Sequence, residues 1–349
     1  MLIFTNRVTT AAADETAFTT SFAPGGTRLA LADATRVSGR WRVSGVDGDV
    51  DDNDALRALV PLFQGTRPLL VYLHGNNNSP AKCFDRCQEL AALYPVEVVG
   101  FSWAAEGFLS DGGEVPGLAA GAEGDELDLK AVKASNRTDP GIQRKIRRYH
   151  QAKINAQDSV DALARFLRML GTARLYANKQ PFTFAAHSLG AHFLQHTLKV
   201  SGAEEAIGTA HNVALLAACT RSGAHRDWLA KIQPKGQVFV TFNKGDSVLF
   251  GASLADAQEV KLGTDPGPDL LQSSSVRYVS FTNAKVGFGG HGYFVNDNMP
   301  KKMLKVFARI FGSSRDIASD EYPRQVYPVG CDANELTCYM AAPDPVGLP

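Results

Sequence analysis

Short apolar runs rich in β-branched and aromatic residues alternate along this chain with stretches of helical periodicity, and this alternation restricts the fold more than any other feature. Eight runs are typical of buried strands. Most are far enough apart for the helical crossover that parallel strands require. The sequence therefore predicts an α/β fold, with a mostly parallel eight-stranded sheet flanked by helices. The predicted strands are LIFTNRV (2–8), RWRVSGV (40–46), LLVYLHG (69–75), VEVVGFSW (96–103), FTFAAHS (182–188), HNVALLAA (211–218), QVFVTFN (237–243) and VRYVSFTN (276–283).

Helical stretches follow most of the later strands. Ser79 and Pro80 form a good start signal for the first of them, because serine caps a helix and proline is favoured at its first position. The predicted helices cover Ala81–Leu93, Gln143–Leu170, Gly190–Val200, His225–Lys231 and Pro300–Phe311.

The fifth apolar run leads directly into a serine. In FTFAAHSLGAHFL (182–194) the strand ends at Ser188, and an amphipathic helix begins after it. The small residues Ala186 and Gly190 let a strand and a helix approach closely at a sharp turn. Such a turn presents a serine hydroxyl for nucleophilic attack. In this context Ser188 is predicted to be a nucleophile rather than a serine that only packs in the core.

A nucleophilic serine needs a base to take its proton and an acid to orient that base. Asp246 follows the strand QVFVTFN and so lies in a loop at the carboxyl end of a strand. His291 follows the last predicted strand in a glycine-rich loop, and the order serine, aspartate, histidine is the one described for α/β-hydrolases. We predict Ser188, Asp246 and His291 as catalytic residues, with Asp256 and Asp265 as rival acids.

Backbone N–H groups must also stabilise the oxyanion that such a reaction forms. One predicted donor is Leu189, the residue after the nucleophile, and the other is Asn76 in the motif HGNNN. Gly75 permits the sharp bend of this loop. Asn77 and Asn78 are expected either to support the loop or to bind substrate, and support is the favoured role.

The charge balance and hydropathy narrow the classes of partner. The 349 residues carry 36 basic and 36 acidic side chains, which offers no net attraction to nucleic acid. No segment approaches the roughly 20 apolar residues of a membrane span, so no integral membrane segment is predicted. The N-terminus has no signal-peptide core. We therefore expect a cytoplasmic protein, with export without a leader as the alternative.

Between residues 104 and 140 the alternation stops. This segment is rich in glycine, alanine and acidic residues and lies between the fourth strand and a long helix. We interpret it as an insertion that is either a solvated loop or a lid over the site. Residues 1–315 are predicted to form one domain, and residues 316–349 an irregular tail.

Five cysteines are too few for a disulfide framework. Cys83 and Cys87 lie four apart in a predicted helix, without the further ligands that a zinc site needs, so no metal is predicted. Cys331 and Cys338 flank a short loop in the tail. Two free thiols are the favoured interpretation there, and a disulfide is expected only if the protein is exported.

Several motifs together resemble the α/β-hydrolase superfamily, and more narrowly the bacterial DUF900-type hydrolases. They are HGNNN (74–78), FSW (101–103), AHSLG (186–190), an Asn-x-x-Asp element (243–246) and GHGYF (290–294). The resemblance implies an α/β-hydrolase fold and an esterase-like or lipase-like serine hydrolase, which acts on a small-molecule ester or lipid through an acyl-enzyme. No cofactor is required. The alternatives are an acyltransferase or thioesterase with the same triad, and a non-catalytic binding or scaffold protein on the same fold.

Overall fold

A mostly parallel sheet of eleven strands forms the centre of the described part of the chain. The computed structural model describes residues 1–114, 140–177, 179–282, 284, 288–296, 299–317, 329–331 and 336–340. The strands are β1 (Leu2–Thr5), β2 (Arg7–Thr9), β3 (Phe18–Phe22), β4 (Ala30–Val37), β5 (Arg40–Asp47), β6 (Leu69–Leu73), β7 (Glu97–Ser102), β8 (Phe182–His187), β9 (Asn212–Leu216), β10 (Val238–Phe242), β11 (Val276–Ser280), β12 (Val329–Cys331) and β13 (Thr337–Met340).

The strand order across the sheet is β12-β13-β11-β10-β9-β8-β6-β7-β1-β4-β5, while β2 and β3 form a separate hairpin. Neighbours from β13 to β1 are parallel, whereas β1–β4, β4–β5 and β12–β13 are antiparallel. The predicted α/β class and mostly parallel sheet are thus confirmed.

The predicted number of strands is wrong, although all eight predicted runs contain a strand. LIFTNRV divides at Asn6 into β1 and β2, and the Asn6 side-chain amide donates to the Ser159 hydroxyl at 2.8 Å. Three further strands join the sheet. Of these, β4 is half exposed and carries three alanines and an aspartate, which have weak β propensity, so its sequence gives little signal.

The helices of the described residues include one correction. Residues 143–170, predicted as a single helix, belong to two helices that are separated at the buried Ser159. The predicted start at Ser79 is confirmed, since its hydroxyl accepts from the Lys82 N–H at 3.4 Å. The helices are α1 (Asp52–Gln64), α2 (Pro80–Leu93), α3 (Pro140–Asp158), α4 (Val160–Ala177), α5 (Leu189–Thr197), α6 (Ala203–Ile207), α7 (His225–Leu229), α8 (Ser247–Ala255) and α9 (Lys301–Phe311).

Helices cover both faces of the sheet. Phe182 of β8 packs edge-on against Phe63 of α1, with ring centroids 5.8 Å apart. The next residue, Thr183, donates from its hydroxyl to the Ile310 carbonyl of α9 at 3.1 Å. Because successive side chains of a strand point to opposite faces, α1 and α9 lie on opposite sides of β8. None of the described helices has the length and apolar character to cross a bilayer.

The segment expected to be an irregular tail contributes β12 and β13 to one edge of the sheet, so that expectation does not hold for these strands. Cys331 lies opposite Cys338 in their ladder, and Cys338 is disulfide-bonded. The expectation of a free thiol is therefore wrong at Cys338. Cys83, Cys87 and Cys219 are buried free cysteines.

The start of the predicted insertion is packed rather than solvated. Ala104 and Ala105 are buried, and the Asn155 side-chain amide of α3 donates to the carbonyls of Ala104 at 3.1 Å and Phe108 at 2.6 Å. Residues 115–139, where a lid was considered, lie outside the described residues.

Candidate active site

Ser188 lies on a strained turn between β8 and α5. Its backbone has φ 52° and ψ −119°, in a region that residues with a Cβ rarely occupy. The turn is held by the Ser188 N–H, which donates to the Leu216 carbonyl at 2.8 Å, and by the Ser188 carbonyl, which accepts from the N–H of Cys219 at 2.9 Å. The sharp strand-to-helix turn predicted from AHSLG is therefore present.

Two glycines allow this turn to approach β6. A Cβ on Gly190 would lie 2.7 Å from the His74 carbonyl oxygen, and a Cβ on Gly75 would lie 2.7 Å from the Ser188 Cβ. Both distances are shorter than side chains tolerate. Gly75 thus supports the loop by letting its backbone pass directly against the serine.

His291 and Asp246 form a buried pair at the carboxyl end of the sheet. The Nδ1 of His291 lies 2.7 Å from Oδ2 of Asp246. The other oxygen, Oδ1, accepts from the Leu249 N–H at 2.9 Å and caps α8. The Asp246 carboxylate therefore caps a helix and also orients an imidazole, and both contacts fix its position.

Several side chains hold the loop that carries His291 in place. None of them was predicted from the sequence as a site residue. The Asn243 amide donates to the Gly290 carbonyl at 2.9 Å, and the Ser247 hydroxyl donates to the Gly289 carbonyl at 3.2 Å. The hydroxyl of Tyr293 lies 2.7 Å from the Thr241 hydroxyl and accepts from the Ala217 N–H at 3.1 Å. These contacts tie the loop to the ends of β9 and β10. In the sequence, the one indication of this role was that Asn243 and Tyr293 lie within motifs that resemble those of the α/β-hydrolases.

The peptide between Gly75 and Asn76 has a defined orientation. Burial lowers the pKa of His74 to about 3, so its ring is neutral. Its Nε2 accepts from the Trp103 N–H at 3.0 Å, which leaves the proton on Nδ1 to bond the Gly75 carbonyl at 2.9 Å. The Asn78 amide also donates to this carbonyl, at 3.3 Å. Because C=O and N–H point to opposite sides of a trans peptide, these bonds direct the Asn76 N–H the other way.

Two backbone N–H groups beside Ser188 are free to donate. Among the described residues, neither Asn76 nor Leu189 donates its backbone N–H to a protein acceptor. Leu189 is the first residue of α5, where N–H groups have no partner within the helix. Both predicted oxyanion donors are therefore available, and Asn76 lines the pocket next to Ser188.

The other two asparagines of HGNNN make hydrogen bonds within and around the loop. Asn77 has φ 54°, and its N–H donates to the Ala105 carbonyl at 2.8 Å. Besides Gly75, the Asn78 amide bonds the Asn76 carbonyl at 2.8 Å. The fully buried Arg7 reaches the Asn78 carbonyl at 3.4 Å from the N-terminal hairpin. None of these three side chains is among the residues that line the pocket.

A small pocket opens beside the serine, with a volume of about 20 Å³. Ser188 and His291 both line it, together with His187. The rings of His187 and His291 lie 4.7 Å apart between centroids. Burial, reinforced by the nearby His291, holds the pKa of His187 well below its usual range, so this second imidazole is neutral. It packs beside the candidate base without adding a charge to it.

The two rival acids are engaged elsewhere. Asp265 pairs with Lys244 at 3.0 Å near the surface. Asp256 accepts from the Tyr149 hydroxyl at 2.9 Å and pairs with Lys153 at 2.9 Å. Burial would raise the pKa of the Asp256 carboxyl, but hydrogen bonds, led by one from His150, outweigh burial and hold the pKa far below its usual range. Of the three candidate aspartates, Asp246 is the one that contacts His291.

No metal site accompanies this arrangement in the described part of the chain, where no group of three or more His, Cys, Asp or Glu side chains has the geometry to hold an ion. Comparison of the chain with protein-family models, with curated proteins and with solved structures found no match. The residues around Ser188 are therefore the basis for proposing a function.

Proposed function

We propose that this chain is a serine hydrolase of the α/β-hydrolase superfamily, related to the DUF900-type enzymes, that cleaves carboxylic esters through an acyl-enzyme. The observation that carries the proposal is the constellation around the pocket. Ser188 on its strained turn and His291, paired with Asp246, line one pocket together with Asn76. A binding or scaffold protein would have no need of a charge-paired imidazole beside a strained serine.

In the first half of the reaction, His291 takes the proton of the Ser188 hydroxyl while the serine oxygen bonds to the ester carbonyl carbon. The N–H groups of Leu189 and Asn76 donate to the oxyanion, and each such donor is worth about 3 kcal/mol of transition-state stabilisation. The carbon–oxygen bond to the alcohol then breaks, and His291 returns its proton to the leaving alkoxide.

In the second half, His291 takes a proton from water, whose oxygen attacks the acyl carbon. The acyl-serine bond breaks, and the proton passes to Ser188, which regenerates the enzyme and releases a carboxylic acid. The Asp246 carboxylate stabilises the imidazolium that forms. Every proton is carried by these side chains, so the cycle needs no cofactor.

Labelling with a fluorophosphonate probe tests the proposal. Wild-type protein is expected to carry the probe on Ser188, and Ser188→Ala is expected to carry none. Ser201→Ala, which changes an exposed serine, serves as the matched control and should label like wild type. Hydrolysis of nitrophenyl acetate should fall about a million-fold in Ser188→Ala, because the nucleophile and its base act as a unit. Equal labelling of Ser188→Ala and wild type would contradict the proposal.

A further inference from the structure

The pocket beside Ser188 has walls that leave little room. Val248, Leu249 and Ala252 line it from α8, and Tyr149 lines it from α3. A cavity of about 10–15 Å³ is just large enough for one water molecule, and this pocket has a volume of about 20 Å³. The space beside the serine therefore holds one or two groups of methyl size.

Tyr149 is anchored in its position by a buried polar cluster. Its hydroxyl donates to Asp256 Oδ2 at 2.9 Å and lies 3.2 Å from the Sγ of Cys219, which also lines the pocket. Asp256 in turn binds Lys153 at 2.9 Å and Lys261, itself buried, at 2.5 Å. Rotation of Tyr149 away from the pocket would take a donor from a largely buried carboxylate, which is unfavourable. This wall of the pocket is therefore rigid.

An ester that reacts here places its carbonyl carbon against the Ser188 hydroxyl. The alcohol must leave past His291, which supplies its proton, and it then departs to solvent. In the proposed mechanism the acyl group stays on the serine, and the narrow pocket that Ser188 lines is the space next to it.

We propose that Tyr149, held by Asp256, is a specificity-determining residue that limits the acyl group to about two or three carbon atoms. Acetyl and propionyl esters are then the substrate class, with the size of the alcohol left open. This inference rests on the proposed function and gives Asp256, a rival for the acid of the triad, a different role as the anchor of the pocket wall.

The test compares nitrophenyl acetate, butyrate and octanoate as substrates of the full chain. For wild type, kcat/KM is expected to fall at least about 100-fold from acetate to octanoate, since each excess methylene meets a rigid wall. Tyr149→Ala should reduce this ratio to below about 10-fold. Tyr176→Ala, which removes an exposed tyrosine of α4, is the matched control and should keep the wild-type ratio.

A second variant covers the case in which Tyr149→Ala does not fold. Val248→Ala shortens another, half-buried side chain that lines the pocket and should raise butyrate hydrolysis relative to acetate. Wild-type protein that hydrolyses octanoate as well as acetate, while Ser188 still takes the fluorophosphonate, would overturn the size limit and leave the proposed function intact. A folded Tyr149→Ala with the wild-type ratio would also overturn it. Absence of both labelling and acetate hydrolysis would overturn the proposed function itself.

Discussion

Asp246 is the residue whose two oxygen atoms connect the fold to the proposed chemistry. One oxygen caps α8 through the Leu249 N–H, and the other holds Nδ1 of His291. The helix cap fixes the position of the carboxylate, and in the proposed mechanism the carboxylate sets the tautomer of the imidazole whose Nε2 acts on Ser188. Helix capping and base orientation are separable here, because asparagine caps a helix as well as aspartate does.

Asp246→Asn is therefore expected to keep the stability of the chain while lowering kcat about 10⁴-fold, as the imidazole loses its anionic partner and its preferred tautomer. The measurements are nitrophenyl acetate turnover and a urea unfolding curve for each protein. Asp265→Asn, at the second rival acid, serves as the control and should keep wild-type kcat. The reverse pattern, with Asp265→Asn inactive and Asp246→Asn active, would show that the acid is wrongly assigned.

Among the elements, the hairpin of β2 and β3 supports the site from outside the main sheet. Arg7 of β2 is fully buried, and its guanidinium pairs with Glu106 at 2.8 Å and donates to the carbonyls of Trp103 and Asn78. A second donor of the same guanidinium holds the Thr19 carbonyl of β3 at 3.0 Å. Through these bonds the hairpin fixes the loop that presents the Asn76 N–H. The N-terminal strands thus support the loop that carries the candidate oxyanion donor Asn76, although none of the candidate catalytic side chains comes from them.

Arg7→Met should destabilise the fold by about 3–5 kcal/mol, because it leaves the buried Glu106 carboxylate without its partner. We also expect kcat for nitrophenyl acetate to fall up to about 100-fold as the oxyanion loop loses its brace. Adding Glu106→Gln removes the unpaired charge and should restore much of the stability in urea unfolding, while kcat stays low. Recovery of wild-type kcat in the double variant would mean that Arg7 serves stability alone.

At the scale of the whole molecule, several histidines are held neutral by burial. Burial lowers the pKa of His74 and of His192 to about 3 in the folded chain, against an ordinary value near 6.5. Below about pH 6.5 these histidines therefore bind protons in the unfolded chain but not in the folded chain. Stability is fully present above this pH and is lost as the pH falls toward 3.

The free energy of unfolding should consequently decrease between pH 7 and pH 5, by about 1.4 kcal/mol per pH unit for each such histidine once the pH is below 6.5. Urea unfolding at several pH values measures this slope. His192→Gln removes one of the titrating groups and should make the slope shallower by about that amount. A slope that does not change in His192→Gln would contradict the assignment.

Local patterns in the sequence were enough to predict the strand-to-helix turn at Ser188 and the loop HGNNN. They also predicted the order of Ser188, Asp246 and His291 along a mostly parallel sheet. Each is a matter of neighbouring residues, where strand periodicity, glycine and chain order are enough to predict structure. Local patterns gave little signal for β4, whose composition has weak β propensity, and none for the break between α3 and α4 at Ser159, whose buried hydroxyl accepts from the distant Asn6.

Only the tertiary structure decided which aspartate meets His291, because Asp246, Asp256 and Asp265 all follow the same strand, β10. It alone placed Arg7 against the HGNNN loop and Tyr149 against Asp256, contacts that span 71 and 107 residues of sequence. Such pairings arise when distant segments are packed together, and no periodicity within either segment encodes them. Sequence therefore identified the candidate reacting groups, and packing determined their partners and the size of the pocket beside Ser188.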